Sequence, residues 1–177
     1  MKYQRGLTLL ELTAVVAVLG ITALVVIPNL LSTDPHKLEL AAQTVAEAIR
    51  FARDESIRTA TPYGIVWPTE KRVRVYRADM DTNPPAPIYD VYHPVSKQLY
   101  DIDLEKHPFT RVDGVTNNSS YQGSCSNPMN TLFDASGTAY CWNPSSVICL
   151  QGSMTLTLGE HIRRVDLDGI TGRVTVQ

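Results

Sequence analysis

Residues 6–31 read GLTLLELTAVVAVLGITALVVIPNLL, a stretch whose only charged residue is Glu11. Two basic residues, Lys2 and Arg5, stand just before it. The run is long enough for a membrane-spanning helix, which needs about 20 residues at a rise of about 1.5 Å each. Basic residues on the N-terminal side predict that the N-terminus stays in the cytoplasm while the rest of the chain is translocated.

The composition of the whole chain is that of an ordinary folded protein. The 177 residues are 44% hydrophobic, 19% charged and 7% aromatic, and the net charge is −2. These values are not those of a disordered, fibrous or disulfide-dense chain, and they give no global basic surface for nucleic acid. Removal of residues 1–6 would leave a net charge of −4. We therefore expect one domain behind an apolar segment.

Glu11 distinguishes the apolar run from two simpler kinds of segment. A secretory signal peptide would end in a small-residue cleavage site, and this run ends in none. A plain membrane anchor does not explain Glu11, because a carboxylate at membrane depth costs roughly 2.5–3.5 kcal/mol on insertion scales. Cleavage after Gly6 would give Leu7 a new α-amino group. In a packed bundle that amine can reach Glu11 of a neighbouring helix, and the pair neutralises both charges.

The segment Gly6-Leu7-Thr8-Leu9-Leu10-Glu11-Leu12, behind its short basic leader, resembles the prepilin signal of type IV pilins and type II secretion pseudopilins. The resemblance implies cleavage after Gly6 by prepilin peptidase and N-methylation of Leu7. It also implies that Glu11 contacts the terminus of an adjacent subunit during assembly. Leu7 departs from the Phe that the family usually has at this position.

Gly20 and Pro28 match positions where pilin helices commonly carry glycine and proline. Both residue types weaken a helix interior, and proline also removes a hydrogen-bond donor. We expect them to let this part of the helix stretch or kink in a filament.

A second helix is predicted to begin at Asp34-Pro35, an N-cap residue followed by proline at the first helical position. Apolar or small residues then recur every three or four positions and form a narrow stripe: Leu38, Ala42, Val45, Ile49, Ala52 and Ser56. The run Thr59-Ala60-Thr61-Pro62 is expected to end the helix. Residues 48–57, with the pair Ala52-Arg53, resemble the helix end of the GspH/FimT group of minor pilins and pseudopilins.

After Pro62 the pattern changes to a period of two, which predicts strands. Strands are predicted at Tyr63–Trp67, Arg72–Tyr76, Ile88–Tyr92, Leu99–Leu104, Met154–Leu158, Ile162–Leu167 and Gly172–Val176. In the second of these, Val73 and Val75 share one face. Loops are predicted at Thr82–Pro87 and Asn117–Pro128, and turns at Gly159-Glu160 and Asp168-Gly169.

Two segments near the C-terminus extend the resemblance to GspH-like domains. Leu132–Gly137 resembles their Phe-x-x-x-Gly element, and Ile170–Val176 resembles their closing Thr-Gly-Arg-Val strand. No such match falls roughly between Tyr76 and Asn130. A partner-specific surface could be built in that middle part of the chain.

Three cysteines, Cys125, Cys141 and Cys149, follow the apolar segment and are expected in an oxidising compartment. They allow one disulfide and one free thiol, and the sequence does not fix the pairing. A Cys141–Cys149 bond would close a small loop. A Cys125–Cys141 bond would tie the long polar loop to the strand after it, and this pairing is favoured.

No catalytic, metal or cofactor site is predicted, and a non-enzyme is expected. Residues 101–105 alternate acidic and apolar side chains but lack the glycine and glutamate of an EF-hand loop, so a solvated strand face explains them better. The four histidines are dispersed and match no catalytic or zinc spacing. Ser136 does not stand in the Gly-x-Ser-x-Gly context of a nucleophile elbow.

DNA binding is the alternative function, because some FimT-like minor pilins bind DNA through a basic Gly-Arg-x-Arg motif. Residues 172–175 keep the first arginine, Arg173, and have Thr175 in place of the second. Arg163 and Arg164 add positive charge nearby. Another basic strand carries Arg72, Arg74 and Arg77. Since DNA binding depends on several phosphate contacts together, the incomplete motif and the acidic chain weaken this alternative.

Together these features predict an α+β, pilin-like fold. A long N-terminal α-helix, transmembrane in its first half, is expected to pack its second half on antiparallel β-sheets. Residues 1–6 are expected to be a leader peptide and residues 7–31 a transmembrane helix that also mediates filament assembly. Residues 34–177 are expected to form a periplasmic or extracellular domain.

The predicted function is structural: a minor subunit of a type IV pilus or of a type II secretion pseudopilus, with a place in the tip complex as one option. The expected partners are other pilins or pseudopilins, prepilin peptidase, and the assembly platform of the bacterial inner membrane. The protein is expected to cross the inner membrane once, with its N-terminus in the cytoplasm, before it enters a periplasmic pseudopilus or an extracellular pilus. The sequence does not decide between these two filaments.

Overall fold

The computed structural model describes residues 9–30, 34–82, 86–109, 112–117, 120–123, 130–141 and 147–177. Residues up to Thr33 and residues from Asp34 to Gln177 form two separate compact units. The first unit contains helix α1, Leu9–Leu30, and the second contains helix α2, Asp34–Thr59, packed on antiparallel β-sheets. The α+β fold predicted from the sequence is confirmed.

Helix α1 has 22 residues and lies within the predicted segment 7–31. Gly20 and Pro28 both stand inside it, so neither residue ends the helix. The predicted leader, residues 1–6, and Leu7 lie outside the described residues.

Helix α2 begins at the predicted N-cap and ends at Thr59, as predicted. All six residues of the predicted stripe are buried, and Ala41, Ala46 and Ala48 are fully buried beside them. The buried face is therefore wider than the sequence pattern indicated. Its many alanines have short side chains, which let the helix axis lie close to the sheets.

The end of α2 is fixed by its backbone and by one buried hydroxyl group. Ala60 has a φ of 52°, the left-handed conformation that commonly ends a helix. Ser56 accepts a hydrogen bond from the backbone N–H of Tyr63 at 2.8 Å. This bond ties the helix end to the first strand.

Eleven strands, numbered in chain order, occur among the described residues of the second unit. They are β1 (Tyr63–Thr69), β2 (Arg72–Asp79), β3 (Ala86–Ile88), β4 (Asp101–Asp103), β5 (Gly114–Asn117), β6 (Ser120–Tyr121), β7 (Asn130–Phe133), β8 (Ala139–Cys141), β9 (Cys149–Leu158), β10 (His161–Asp168) and β11 (Val174–Val176). All the pairings are antiparallel.

The strands form two sheets, and in each sheet two short strands pair one after the other along the same edge of a longer strand. The first sheet has the order β3-β2-β1-β7-β8, with β4 paired beside β3 on the same edge of β2. The second sheet has the order β11-β10-β9-β5, with β6 paired beside β5 on the same edge of β9. Two backbone hydrogen bonds of 2.8 Å, from Val115 to Glu70 and from Ala139 to Gly169, connect the sheets.

The core lies between α2 and the two sheets, and alternating strand positions fill it. Val73 and Val75 of β2 face it, as predicted, and so do Met154, Leu156 and Leu158 of β9, all at most 3% exposed. Alternation with a period of two places every second side chain on the same face of a strand. The domain is therefore held together by one apolar core that the sequence pattern largely specifies.

Two predicted strands are shorter and displaced in the structure. The prediction Ile88–Tyr92 is replaced by β3, and the prediction Leu99–Leu104 is reduced to β4. The chain between β3 and β4 turns back on itself, and Tyr92 and Leu99 form an isolated β-bridge. A period of two in the sequence does not say which backbone groups find a partner strand, so these boundaries could not be predicted.

Both predicted loops contain strand residues. The end of Thr82–Pro87 belongs to β3, where Pro87 is tolerated because β3 lies at a sheet edge. The predicted loop Asn117–Pro128 contains the end of β5 and all of β6, and residues 124–129 lie outside the described part of the chain. Strand β9 starts at Cys149, before the predicted Met154, because its early residues pair with the end of β10.

Candidate functional site

Helix α1 presents apolar side chains on every side. From Leu9 to Thr22 every side chain is exposed in this chain. The large apolar ones keep between 50% and 81% of their surface accessible: Leu9, Leu10, Leu12, Val15, Val16, Val18, Leu19 and Ile21. A surface helix of a globular protein would have a polar face opposite its apolar face. A helix that is apolar all round is stable in lipid or among other apolar helices.

The two threonines of this stretch are compatible with apolar surroundings. Thr13 donates its hydroxyl proton to the carbonyl oxygen of Leu10 at 2.9 Å. Thr22 donates to the carbonyl oxygen of Val18 at 3.0 Å. Because each hydroxyl donor is satisfied within the helix, burial of these side chains leaves no donor without an acceptor.

Glu11 lies in the first turn of α1 and is exposed. The first turn of a helix has backbone N–H groups without intrahelical acceptors and a partial positive charge, which favours an acidic residue there. Gly6 and Leu7, the residues predicted to flank the cleavage site, lie outside the described residues. The predicted contact between Glu11 and the terminus of a neighbouring Leu7 stays a prediction.

Gly20 has open space around it on α1. An added Cβ would meet no described atom within 4 Å, so packing within this chain does not require glycine at the position. The backbone of Pro28 belongs to α1, and its side chain lies outside the described set. The predicted stretch or kink at these two residues in a filament is not tested by this structure.

Neither of the two described helices meets both the length and the apolarity that a membrane crossing requires.

The three arginines predicted for DNA binding do not form one basic surface. Arg163 of β10 donates to Glu39 of α2 at 2.7 Å, and this hydrogen bond is the main reason why the pKa of Glu39 is lowered. Arg164 is exposed and, as the next residue of the strand, faces the opposite side of the sheet. Arg173 lies before β11 and lines a shallow groove together with Asp168. The positive charges are thus separated or offset by acids.

Each arginine of the second basic strand is hydrogen-bonded to a carboxylate, and two of them share one. The Nε atoms of Arg72 and Arg74 donate to Asp101 at 2.8 and 2.9 Å, and Nε of Arg77 donates to Asp90 at 2.8 Å. Burial alone would raise the pKa of Asp101, but the hydrogen bonds from the two guanidinium groups outweigh burial, and the pKa is lowered. The strand therefore does not offer three unpaired cations to a phosphate backbone.

Of residues 101–105, predicted to form a strand face, Asp101–Asp103 form β4 and the last two lie in the turn after it. The acids serve ion pairs. Ile102 and Leu104 point into the core. Asp103 lies 3.2 Å from Lys106. Within the described ranges, no group of three or more His, Cys, Asp and Glu residues could hold a metal ion.

The three segments that resemble the GspH/FimT group meet at Arg53. Its guanidinium donates to the carbonyl oxygen of Thr171 at 3.1 Å. The side chain passes beside two glycines with positive φ, Gly137 (81°) and Gly172 (68°). A Cβ at Gly137 would lie 2.8 Å from Cδ1 of Ile57, and a Cβ at Gly172 would overlap the Arg53 side chain. Arg53 therefore joins the helix end to turns of both sheets.

Cys149 is a free, buried cysteine. The alternative pairing of Cys141 with Cys149 is therefore wrong, and the reason is visible in the fold: Cys149 begins β9 and packs in the core. Burial raises the pKa of its thiol to about 11. Cys125 lies outside the described residues, so the favoured Cys125–Cys141 bond stays a prediction.

The sequence left open where a partner-specific surface would lie between Tyr76 and Asn130. Between β3 and β4 the chain exposes Tyr89, Tyr92, Val95 and Leu99. This part of the chain matches no family motif, so no resemblance pointed to it. The signal for this surface in the sequence was a group of large apolar residues next to a proline. It lies in a segment that was expected to be partly strand.

Comparisons with known proteins agree on the N-terminus and on the fold. Residues 1–27 match the family model for the prokaryotic N-terminal methylation motif. The fold is similar to that of the type IV minor pilin FimU of Pseudomonas aeruginosa, with a TM-score of 0.51, 13% identity, and coverage of 82% of this chain and 91% of that chain. It is also similar to the minor pseudopilin EpsH from the type 2 secretion system of Vibrio cholerae, with a TM-score of 0.51, 11% identity, and coverage of 80% and 96%. A comparison with curated proteins found no match.

Proposed function

We propose that this chain, which joins a prokaryotic N-terminal methylation motif to a pilin-like fold, is a structural minor subunit of a type IV pilus or of a type II secretion pseudopilus. The observation that carries the proposal is the all-round apolar surface of α1 from Leu9 to Thr22. Such a surface behind a processed N-terminus suits a helix that moves from lipid into a bundle of like helices. It has no role in a freely soluble protein.

Before assembly, residues 7–31 form a single pass through the bacterial inner membrane. Lys2 and Arg5 keep the N-terminus in the cytoplasm. The sequence supports this, because Glu11 is the only charge in the run and the two threonines of α1 bond to their own helix. Prepilin peptidase then cuts after Gly6, and Leu7 is N-methylated.

Assembly transfers α1 from lipid to neighbouring α1 helices of other pilins or pseudopilins, with the help of the inner-membrane platform. Lipid tails and leucine side chains are similarly apolar, so the transfer depends on packing and on polar pairs rather than on hydrophobic burial. Gly20 and Pro28 supply weak points at which the helix adapts to the bundle. The domain from Asp34 onward then provides the lateral or tip contacts, outside the cytoplasm, with Cys125 and Cys141 joined.

Glu11 provides the polar pair. A carboxylate surrounded by apolar helices is unfavourable unless a cation or donor compensates it. The α-amino group of Leu7 on an adjacent subunit is created by cleavage and is the cation that we assign to Glu11. Only a subunit that has been cut and is in the right register would make this pair.

The proposal is tested by replacing Glu11 with alanine in the bacterium that carries the protein. We expect Glu11→Ala to be cleaved normally and to be recovered in sheared or purified filaments at a level about tenfold lower than wild type or less, since a buried charge pair loses one partner. The filament that contains the wild-type protein also decides between pilus and pseudopilus.

Thr13→Val is the matched control on the same helix. Its hydroxyl is already bonded to Leu10, so its loss should leave incorporation unchanged. Gly6→Ala should block maturation and leave the precursor in the membrane. Normal recovery of Glu11→Ala in filaments, or a mature band from Gly6→Ala, would contradict the proposal.

Among the residues that the structure describes, no observation favours DNA binding. Arg163 is bonded to Glu39, and the other candidate arginines face acids or a different side of the sheet. We therefore expect the protein to bind DNA weakly and without dependence on Arg173. Salt-sensitive binding that is lost in Arg173→Ala would reverse this conclusion.

A further inference from the structure

We infer that a small pocket at the edge of the first sheet binds an acidic side chain from another protein. The pocket has a volume of about 240 Å³. Its lining includes residues of β2, of β4 and of the chain between β3 and β4: Arg72, Arg74, Tyr89, Val91, Leu99 and Asp101. We call it the Arg74 pocket. It is smaller than the roughly 300–1,000 Å³ of typical small-molecule sites, and it suits a single side chain.

The charges in the pocket favour an anion. Two guanidinium groups, those of Arg72 and Arg74, share one carboxylate, that of Asp101. The pocket therefore has an excess of positive charge in a protein whose net charge is −2. Arg74 is held by its Nε bond to Asp101, and its guanidinium carbon lies 5.7 Å from the centre of the Tyr89 ring. A fixed guanidinium group of this kind recognises carboxylates through parallel hydrogen bonds.

Exposed apolar side chains continue from Leu99, which lines the pocket, along the chain between β3 and β4. Leu99 is 52% exposed and Tyr92, its bridge partner, is 58% exposed, while Val95 near the tip of the turn is 83% exposed. Neighbouring exposed apolar residues of this kind mark interaction surfaces. Tyrosine and leucine supply contact area, and tyrosine can also donate a hydrogen bond.

The segment that carries these residues is internally bonded. The backbone N–H of Tyr100 donates to Val91, and that of His93 donates to Gln98, both at 2.8 Å. Nδ1 of His93 accepts hydrogen bonds from the backbone N–H groups of Val95 and Ser96, both at 3.2 Å. Because the segment is already ordered, a partner loses little free energy in ordering it.

The occupant that fits is a protein segment in which Asp or Glu is flanked by apolar residues. Its carboxylate would meet Arg74, and its apolar neighbours would cover Tyr92, Val95 and Leu99. A free small acid would leave those apolar side chains uncovered. A nucleic acid would present several phosphates in a row, whereas the pocket has the volume and the charge for one anionic group. The inference concerns the domain alone and does not depend on the assembly role proposed for α1.

The test is photo-crosslinking in living cells with benzoylphenylalanine at position 99 of the full chain, followed by mass spectrometry of the crosslinked peptides. We expect one product from another protein, with Asp or Glu within a few residues of the crosslinked position. Arg74→Gln should lower its yield about tenfold, and Arg74→Lys should restore only part of it, because lysine keeps the charge but cannot form the parallel hydrogen bonds. Benzoylphenylalanine at position 170, an exposed isoleucine in the turn between β10 and β11, is the control and should not give this product.

Four outcomes would overturn the inference. They are a yield at position 99 no higher than at position 170, a product unaffected by Arg74→Gln, a crosslinked peptide without an acidic residue, and a product that joins two copies of this chain. The last would show that a second copy occupies the pocket. Arg74→Gln protein that accumulates in the same cells to the wild-type level, with the wild-type resistance of its domain to protease, shows that a loss of product is not a loss of folding.

Discussion

Gly137 and Gly172 flank the side chain of Arg53 at the point where α2 meets turns of both sheets. We predict that Gly172→Ala lowers the free energy of unfolding by about 2–4 kcal/mol, because the new methyl group would overlap Arg53 and the residue has a positive φ. Urea unfolding followed by circular dichroism measures the change.

Gly159→Ala is the matched control for this substitution. Its φ is 59°, close to that of Gly172, but no described atom lies within 4 Å of an added Cβ. It should therefore show the backbone strain alone, about 1 kcal/mol. If both variants lost the same free energy of unfolding, the packing of Arg53 would not require the absence of a side chain at position 172.

The three cysteines are predicted to react differently. Burial raises the pKa of Cys149 to about 11, and the thiolate is the reactive form. We predict that iodoacetamide at neutral pH leaves Cys149 unmodified in the folded protein and modifies it after unfolding in urea without reductant. Cys125 and Cys141 should stay unmodified in both cases. Modification of Cys141 in the unreduced, unfolded protein would contradict the proposed disulfide.

At the scale of secondary-structure elements, Asp101 links β4 to β2. Burial tends to raise its pKa, but the hydrogen bonds from Arg72 and Arg74 prevail and lower it. The ionised form therefore stabilises the fold. This stabilisation is complete above the unfolded-state pKa of about 4 and is lost as the pH falls through the lower value in the folded protein. We predict that the free energy of unfolding decreases as the pH drops below about 4.

Asp101→Asn tests this link. It should lower the free energy of unfolding at pH 7 by about 1–3 kcal/mol, since two guanidinium groups lose a charged acceptor, and it should flatten the decrease at low pH. Denaturant unfolding at a series of pH values measures both effects. Asp81→Asn, at an exposed turn after β2, is the control and should keep the wild-type slope. An unchanged slope in Asp101→Asn would contradict the assignment.

The buried residues of a helix or strand could be predicted from the sequence where only one face of that element packs against the core. The stripe of α2 is such a case, since all six of its predicted residues are buried. Prediction failed at the edge of the first sheet, where backbone partners decide the strand limits. Tyr76 illustrates the failure: it shares a face of β2 with Arg74, yet it is buried, and the Tyr89 ring lies 6.2 Å from its own. The residues next to Tyr76 in the sequence do not indicate that Tyr89 packs beside it.

At the scale of the whole molecule, the two units differ in whether their large apolar side chains are buried or exposed. The domain from Asp34 onward buries most of its large apolar residues in one core, whereas α1 exposes all of them from Leu9 to Ile21. The N-terminal site was predictable because its residues are consecutive in the chain. The Arg53 junction and the Arg74 pocket were not, because each brings together residues from distant segments that only the fold makes neighbours.

If this chain is a processed, pilin-like subunit, the mass of the N-terminal peptide of the protein isolated from its own cells will show it. We expect a mature chain that begins with N-methylated Leu7, six residues after Met1. A protein that still begins at Met1, or one cut beyond the apolar run, would contradict it.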